Sequence, residues 1–500
     1  MKIQIVIIVH PDFRKQWHTL AIIIDAIEKC WMRYQKHVAA VITVVESDVK
    51  SLWTHKQLLQ SADVHVYVWD GFAHLKEIRG RLKVCVPSVI YIHGEGTIGF
   101  SRSMEAVEFF DAGDIFIAPC LSELQILKLC FESVRAIVCP YPLRNSCSSK
   151  LVVKQSSKKV VRIILVGRVS EQKNIHTALV ALKIFIGKST MHEIRVDIYG
   201  TPDQLGSPNM DLESQDYWKF LQNLVLSLDL TTVVRWHGYL KAYVLREMIQ
   251  AAPHIFISAS LHSDECFGMA AFDSLCNGNL AVLSAWGGHL DLYRNFKGQV
   301  ELVPVRGSNK GPFISPVDFS EQLQKCFELF CQGRLDGRKR RIPRNYGFKA
   351  ILGQLDKAIE NRTFEKKRLL PSVWLKELHK QVGKLNVSAN SPIPHVYEGY
   401  NDPLAQGVFE CYGMLRPRPI EDPVELRKKH FLIMPWVEFD PKFGKIKVED
   451  PHRGFAEAVF KCDSRVCYNV YSVIGMPMPV WPVSEDVLVW LLEHGYAYPL

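Results

Sequence analysis

The sequence of 500 residues has no apolar stretch approaching the roughly 20 residues that a membrane-spanning helix requires. Its first apolar run, residues 3–9, is short, lacks a cleavage-site pattern and leads directly into His10-Pro11, which favours a buried strand over a signal peptide. The thirteen cysteines follow no disulfide framework, and several lie inside apolar segments, as expected of reduced thiols. These absences disfavour integral membrane proteins and small disulfide-stabilised secreted domains, and they predict a cytoplasmic protein.

Signals for a metal site and for nucleic-acid binding are also lacking. No Asp-x-Asp pattern stands at the end of a predicted strand, and Cys462 and Cys467 have no companion pair at zinc spacing, so we predict no essential metal. The net charge of +9 comes without a nucleic-acid-binding motif, so nucleic acid is a disfavoured partner. Part of the charge lies between Arg338 and Arg344, which is either solvated surface or a peripheral contact with an anionic membrane or a phosphate-bearing acceptor.

What is present is the composition of a folded protein, 48% hydrophobic and 23% charged, in a chain long enough for two to four domains. The first 145 residues alternate two kinds of pattern. Strands are predicted near 3–9, 38–45, 63–69, 86–93, 114–118 and 136–139, and helices near 17–34, 103–111 and 121–131. Alternation of this kind predicts βα units around a parallel sheet.

A second βα series follows a polar connector that begins at Asn145. Its strands are predicted near 160–166, 194–199, 232–236, 254–258, 280–284 and 299–303. The sequence therefore predicts an α/β protein with Rossmann-like domains at 1–145 and 146–345, which face a ligand cleft at the carboxyl ends of both sheets. Residues 346–368 are predicted to form a helix and linker.

Residues 369–500 lose the βα alternation and are rich in proline and aromatic residues. They have too many aromatic side chains to be disordered, so we expect a C-terminal appendage of unassigned fold. It should bury its surface on the two-domain body or on a second subunit, and contribute to acceptor choice or assembly rather than to donor binding. Trp436, Trp481 and Trp490 are its candidate anchors.

The most informative motif is the segment 265–273, which reads Glu-Cys-Phe-Gly-Met-Ala-Ala-Phe-Asp. It lies between an apolar strand and a helix, and a second apolar strand and Gly287-Gly288 follow it. A carboxylate can accept hydrogen bonds from sugar hydroxyls, and the free amides at a helix start attract an anion. The pattern thus favours a site for a polyol phosphate.

The whole string resembles the donor-site signature of the retaining family 4 glycosyltransferases, also called glycosyl transferases group 1, which have the two-domain GT-B fold. The resemblance covers about residues 160–300 well, residues 1–145 faintly and residues 370–500 not at all. It implies that Glu265 is catalytic and that Asp273 holds the ribose hydroxyls. It also implies that Phe267, Gly268 and Met269 bind the donor.

A second motif, Gly167-Arg168-Val-Ser-Glu-Gln-Lys173-Asn174, opens the first helix of the second domain. An Arg and a Lys five residues apart at a strand-to-helix turn can both reach a diphosphate. The motif is similar to the family's Gly-Arg and Lys-Asn pairs. The resemblance implies that Arg168 and Lys173 neutralise the leaving group as the sugar C1–O bond breaks.

Further candidates stand at the ends of predicted strands. His93 ends the run Val-Ile-Tyr-Ile-His and precedes Gly-Glu-Gly, and the resemblance makes it an active-site residue of the first domain that faces the donor sugar. Gly200 and Gly238 resemble the glycines beside the nucleotide base. Gly287 and Gly288 could let backbone amides reach the donor.

Two departures from the family pattern weaken the analogy. The loop after the first strand lacks the glycines that approach the donor phosphates in many relatives, although Arg14 and Lys15 could substitute electrostatically. The later acid of the family's Glu-x7-Glu pattern is Asp273, one methylene shorter.

The resulting hypothesis is a metal-independent retaining glycosyltransferase that uses a nucleoside-diphosphate sugar as co-substrate and needs no other cofactor. The acceptor hydroxyl could belong to a glycan, polysaccharide, lipid-linked glycan or protein. One alternative is a non-catalytic partner protein on a glycosyltransferase-like scaffold. A transferase that modifies nucleic-acid bases is a further alternative, suggested only by the positive charge.

Overall fold

The computed structural model describes residues 2–12, 18–68, 71–94, 103–143, 160–188, 193–204, 206–207, 210–261, 265–308, 310–332, 342–384, 403–416, 431–440, 445–460, 468–472 and 481–499. By their contacts the described residues form two compact units. Unit 1 contains those of Met1–Ser146, Ser263–Phe267 and Ile342–Ala389. Unit 2 contains those of Cys147–His262, Gly268–Arg341 and Asn390–Leu500.

Unit 1 is built on a six-stranded parallel sheet. Its strands are β1 Ile3–Val9, β2 Ala40–Glu46, β3 Val64–Tyr67, β4 Ser88–Tyr91, β5 Ile115–Ala118 and β6 Arg135–Val138, in the order β2-β1-β3-β4-β5-β6. Its helices are His18–His37, Lys56–Ser61, Gly71–Leu75, Leu121–Cys130, Phe348–Glu360 and Val373–Lys384, with 3-10 turns at Leu52–His55, Val107–Phe109 and Arg344–Tyr346 and a π-helical turn at Lys76–Arg81. Ile7, Ile8 and Val9 of β1 are fully buried, as expected when helices cover a parallel sheet.

A buried ion pair joins helix and sheet in unit 1. Both terminal nitrogens of Arg79 donate to the Asp114 carboxylate, at 2.6 and 2.7 Å, and the guanidinium also bonds to Ser88. The sequence analysis did not single out this pair, because neither residue stands in a motif.

The helix predicted near 103–111 is wrong: Ser103 is helical, but a turn at residues 104–106 and the 3-10 turn Val107–Phe109 follow it. Tertiary contacts override the helical pattern. Phe110 packs edge-on against Phe116 and Phe131, and the Asp111 carboxylate accepts from the amide of Glu365 at 2.8 Å. These contacts hold the segment against residues 363–370 and prevent it from forming a helix.

Unit 2 contains a second six-stranded parallel sheet. Its strands are β7 Val160–Val166, β8 Glu193–Tyr199, β9 Val234–Trp236, β10 Ile255–Ser258, β11 Leu280–Ser284 and β12 Val300–Val303, in the order β12-β11-β10-β7-β8-β9. The helices around it are Ile175–Lys188, Ser214–Ser227, Ala242–Ala251, Met269–Cys276, Gly288–Asn295 and Pro316–Cys331, with a 3-10 turn at Glu171–Lys173. The predicted α/β class with two Rossmann-like sheets is thus confirmed.

The C-terminal region forms small sheets of its own. After the hairpin β13 Val305–Ser308 and β14 Gly311–Ile314, later strands are β15 Phe431–Ile433, β16 Val437–Asp440, β17 Lys445–Asp450, β18 Gly454–Val459, β19 Tyr468–Ser472, β20 Trp481–Val483 and β21 Ala497–Pro499. They assemble as β20-β19-β15-β21 and β16-β17-β18, with helices Pro403–Tyr412 and Glu485–Glu493. Among the described strands, none from this region joins a six-stranded sheet.

This region packs on the body of unit 2. The indole of Trp436, which is 7% exposed, meets the ring of His176 edge-on at 5.3 Å. Trp490 stacks on His494, with ring centroids 4.4 Å apart. The expectation that these tryptophans are mainly core residues holds for Trp436, and docking on the body is observed.

Candidate functional site

The order of the second sheet fixes where a ligand crevice is expected. Counted from β7, the strands run 3-2-1-4-5-6, an order in which a ligand binds outside the carboxyl ends of the first and fourth strands, β7 and β10. Lys173 follows β7, and its Nζ donates to the Oγ of Ser260, which follows β10, at 3.3 Å. A side chain of the second sequence motif thus links the two loops at this switch point.

Three predicted glycines meet at the neighbouring strand ends. Gly167 donates its amide to the carbonyl of Tyr199 at 3.0 Å, and Gly200 donates to the carbonyl of Gly238 at 2.9 Å. Gly200 has a φ of 148°, and a Cβ at this position would lie 1.7 Å from the carbonyl oxygen of Gly167. Only glycine therefore fits at residue 200, and backbone hydrogen bonds join the three loop ends into what we call the glycine surface.

Arg168 extends from this surface, with its side chain 37% exposed. Its Nη1 donates to the carboxylate of Asp203, a residue of the loop after β8. The amide of Val169 donates to the carbonyl of Thr201 at 2.9 Å, which holds the same two loops together. An anion that binds Arg168 must compete with Asp203 or share the guanidinium with it.

The helix Met269–Cys276 begins at Gly268, which has a φ of 73°. A Cβ on Gly268 would approach Cδ2 of His289 to 2.9 Å, so this turn also requires glycine. Asp273 lies one turn into the helix and is half-buried. Burial raises the pKa of Asp273 to about 6, although the positive charge of Arg246 acts in the opposite direction.

The first half of the same motif belongs to unit 1. Cys266 and Phe267 are buried, and the ring of Phe267 packs against Tyr141 at 5.2 Å and Tyr346 at 5.8 Å. Glu265 precedes them and is half-buried. The division between the two units therefore falls between Phe267 and Gly268, inside the motif that the sequence analysis treated as one string.

His93 belongs to a hydrogen-bonded chain that leads to the Glu265 segment. Its Nε2 donates to the Val68 carbonyl, and its Nδ1 accepts from the Tyr141 hydroxyl at 3.2 Å. The same hydroxyl lies 3.6 Å from Sγ of Cys266. Burial lowers the pKa of His93 to about 4, so the ring is neutral near pH 7, with its proton on Nε2. Tyr141, which no sequence motif pointed to, thus connects His93 to the residue that follows Glu265.

Gly287 and Gly288 lie at the start of the helix Gly288–Asn295. The amide of Gly287 donates to the carbonyl of Tyr412 at 2.9 Å, and the amide of His289 donates to the carbonyl of Trp286 at 3.1 Å. The Gly287 amide is therefore committed to the C-terminal region. A donor contact from Gly287 would require this bond to break.

A cluster that the sequence analysis missed lies below the three glycines. The buried carboxylate of Asp197 accepts from Arg162 at 2.7 Å, Arg195 at 2.9 Å and His237 at 2.7 Å, and Tyr199 stacks on His237 at 4.5 Å. Burial alone would raise the pKa of Asp197, but its hydrogen bonds to these three partners hold it below its usual range. The available signal was an acid inside an apolar strand, next to Gly200.

Several predicted residues lie outside the described residues: Arg14, Lys15, Glu95 and the basic run Arg338–Arg341. Among the described residues, no group of three or more His, Cys, Asp or Glu side chains is arranged to hold a metal ion. The helices of the described part of the chain include none that is long and apolar enough to cross a membrane. What the described site does offer is a backbone surface flanked by two cations, which suits an anionic ligand.

Comparison with known proteins gives a partial family match and several similar structures. Residues 150–308 match the family model of the glycosyl transferases group 1. No similar sequence was found among curated proteins. Similar solved structures include Staphylococcus aureus TarM in complex with Fondaparinux, alpha-GlcNAc-glycerol and UDP, at 11% identity and a TM-score of 0.40, covering 62% of this chain and 58% of TarM. The alignment thus spans less than two thirds of TarM.

Two trehalose-phosphate enzymes are also similar. The UDP-forming alpha,alpha-trehalose-phosphate synthase of Burkholderia xenovorans shares 10% identity at a TM-score of 0.49, covering 72% of this chain and 99% of that protein. The E. coli protein bound with UDP-2-fluoro glucose shares 13% identity at a TM-score of 0.42, covering 69% of this chain and 76% of that one. The family match covers residues 150–308, from β7 to β13, which is about a third of the chain.

Proposed function

We propose that the chain is a retaining glycosyltransferase that moves a sugar from a nucleoside-diphosphate sugar to an acceptor hydroxyl. One observation carries the proposal: the glycine surface of Gly167, Gly200 and Gly238 lies beside Arg168 and the Lys173–Ser260 link. Glycine allows a ligand to approach the backbone closely, and two cations at a strand-to-helix turn suit a diphosphate.

The two cations have different tasks in this proposal. The planar guanidinium of Arg168 can donate to two phosphate oxygens at once. Asp203 holds this guanidinium at the loop until a phosphate replaces the carboxylate. Lys173 is a compact charge, and its bond to Ser260 sets its position at the switch point. Both charges would stabilise the diphosphate most strongly when it carries the extra negative charge of a leaving group.

Asp273 and Glu265 serve the polyol parts of the donor. The Asp273 carboxylate would accept hydrogen bonds from the ribose, and Glu265 from the transferred sugar, as the family resemblance implies. Gly238 would allow the base to approach the end of β9. His93 would face the sugar as a neutral ring held by Val68 and Tyr141, and its low pKa makes it a poor acid near pH 7.

The proposed reaction needs no protein nucleophile. The bond between C1 and the diphosphate oxygen breaks, and its electron pair leaves with the phosphate. The acceptor oxygen then bonds to C1 on the same face, and its proton passes to a phosphate oxygen of the leaving group. The protein contributes positioning and charge stabilisation, and we propose that Arg168 and Lys173 supply this stabilisation without a metal ion.

The test is a panel of nucleoside-diphosphate sugars incubated with the full chain, with nucleotide release as the readout. For any donor that turns over, proton NMR of the product's anomeric centre reports whether its configuration is kept. Release with retention supports the proposal, and an inverted product contradicts the retaining mechanism. If no nucleoside diphosphate binds in calorimetry and no donor is hydrolysed, the proposal is wrong.

The second candidate is a non-catalytic partner protein on the same scaffold. Two observations favour it: both ring nitrogens of His93 bond within unit 1, and Arg168 is paired with Asp203. This candidate predicts stable association with another protein and no affinity for nucleotides. The same calorimetric titration separates the two candidates.

A further inference from the structure

The C-terminal region reaches the loop that carries Arg168 and Lys173. The contact starts in the turn Asp450–Arg453 between β17 and β18. The buried carboxylate of Asp450 accepts from the amides of His452 at 2.8 Å and Arg453 at 3.1 Å, and from Nε of Arg453 at 2.9 Å. Although burial opposes ionisation, the charge of Arg453 keeps the pKa of Asp450 below its usual range. The turn is therefore closed by a buried ion pair.

Arg453 anchors this turn to the rest of the C-terminal region. Its guanidinium lies over the ring of Tyr496 at 4.4 Å and the ring of Phe313 at 5.3 Å. It also donates to the carbonyls of His494 and Gly495. Such planar stacking combined with a hydrogen-bonded fork gives the turn a single defined position.

From the fixed turn, His452 contacts Glu171. Nδ1 of His452 donates to Oε2 of Glu171 at 2.8 Å, and the two side chains are 8% and 0% exposed. On the other side, the amide of Glu171 donates to the carbonyl of Gly206 at 3.0 Å, and Ser207 donates to the carbonyl of Pro451. Glu171 stands between Arg168 and Lys173 in the sequence, so its position restricts both cations.

We propose that the turn Asp450–Arg453 braces the diphosphate-binding loop through Glu171, with His452 as a positioning residue for donor binding. His452 acts through Glu171 and does not itself contact the donor. A carboxylate buried in a medium of low dielectric is held firmly by a charge-assisted hydrogen bond, and a loop already held in its binding conformation loses less entropy when the ligand binds. This inference rests on the proposed donor site, and it replaces the sequence-based expectation that residues 369–500 take no part in donor binding.

The test uses two substitutions of similar size in the full chain. His452→Asn keeps an N–H donor near the position of Nδ1, whereas His452→Gln places its amide near the position of Nε2, away from Glu171. UDP, GDP and ADP are titrated first. The tightest of them and its parent nucleoside are then measured with each variant. We expect His452→Gln and His452→Ala to weaken diphosphate binding about tenfold and nucleoside binding less than twofold, and His452→Asn to stay within about threefold of the wild type.

Two controls separate bracing from general destabilisation. His494→Ala removes another histidine of the same region, whose Nδ1 bonds to the carbonyl of Trp490, and it should leave diphosphate affinity unchanged. If His452 acts through Glu171, adding His452→Ala to Glu171→Ala should cause no further loss.

The brace is overturned if His452→Gln loses diphosphate and nucleoside affinity equally. It is also overturned if His494→Ala shows the same loss, or if His452→Gln binds the diphosphate within twofold of the wild type. If the wild-type chain binds no nucleoside diphosphate, the proposed function itself fails and the brace fails with it. If the wild-type chain binds the diphosphate and the His452 substitutions do not change that affinity, the brace is wrong but the proposed function stands.

Discussion

The carboxyl edges of the two six-stranded sheets differ although both sheets are parallel and similarly buried. In unit 2 the first strand leads into Gly167 and two cations, and steric contact allows only glycine at residue 200. In unit 1 the first strand leads into His10-Pro11, and the ring of His93 is fixed by Val68 and Tyr141. Among the described residues, the unit 2 edge presents glycines and two cations, whereas the unit 1 edge presents a histidine ring held by hydrogen bonds.

Under the proposed function, this difference predicts that the two units bind different parts of the donor. A diphosphate needs cations and close approach to the backbone, which unit 2 supplies at its switch point. A rigid, neutral hydrogen-bonded edge suits the recognition of hydroxyl groups, which carry no charge.

The largest effect is expected from the cations of unit 2. Lys173→Ala and Arg168→Ala should each lower kcat for nucleotide release by about 10²–10³-fold, because the developing charge on the leaving diphosphate loses a fixed partner. Lys219→Ala is the matched control, since Lys219 is exposed and pairs with Asp216 one helical turn away. Steady-state rates with the best donor measure the effect, and turnover near the wild-type rate in both variants would remove the assigned role.

The second prediction concerns the glycine surface. Gly200→Ala should lower the free energy of unfolding by about 3 kcal/mol and abolish nucleotide binding, because its Cβ would collide with the Gly167 carbonyl. Gly187→Ala is the control: a Cβ there meets nothing within 4 Å, and alanine favours the helix by about 0.5–1 kcal/mol. Denaturant unfolding and calorimetry measure both variants. A Gly200→Ala protein of wild-type stability would show that the loop has another conformation.

Sequence patterns were sufficient for these elements because their causes are local. The strands of both sheets are apolar runs, and the positive φ angles of Gly200 and Gly268 are local conformations that favour glycine, although distant contacts add to the requirement. Contacts between distant segments could not be predicted. The Glu171–His452 bond joins residues 281 positions apart, and the failed helix near 103–111 was displaced by pairing with residues 363–370. The shared network of His93, Tyr141 and Cys266 has the same long-range origin.

A third, smaller effect is expected from pH. With a pKa of about 6, Asp273 is about one tenth ionised at pH 5 and about nine tenths ionised at pH 7. If the carboxylate binds ribose, nucleotide affinity should fall up to about tenfold between pH 7 and pH 5. Asp273→Asn should bind weakly at both values, with a flatter profile. If Asp273→Asn shows the same dependence of nucleotide affinity on pH as the wild type, another group causes that dependence.

Stability should respond to Asp273 in the opposite direction. Its folded-state pKa is raised above the ordinary 3.8, so the stability that it contributes is full below pH 3.8 and is lost as the pH rises through about 6. Asp273→Asn should therefore gain most in thermal stability, relative to the wild type, near pH 7. An equal gain at pH 4 and pH 7 would contradict the raised pKa.

The smallest effect is expected at the closed edge of unit 1. Tyr141→Phe keeps the ring against Phe267 but removes the hydroxyl that donates to His93 and lies near Cys266. His93→Gln keeps a donor near Nε2 for the Val68 carbonyl. One neutral hydrogen bond is worth about 0.5–1.5 kcal/mol, so each variant should lower kcat/KM by about 2–10-fold. Nucleoside diphosphate affinity, which the comparison assigns to unit 2, should not change in either variant.

These two variants test whether His93 only supports the site or acts directly on the reacting groups. General acid or base catalysis contributes about 10²–10⁴-fold, so a loss of that size in His93→Gln would show that the ring acts on the reacting groups and leaves its internal bonds to do so. In that case Tyr141→Phe, which frees Nδ1, should shift the pH profile of kcat as well as its magnitude. If His93→Gln instead weakens diphosphate binding, the contrast between the two sheet edges is wrong, and unit 1 takes part in holding the charged end of the donor.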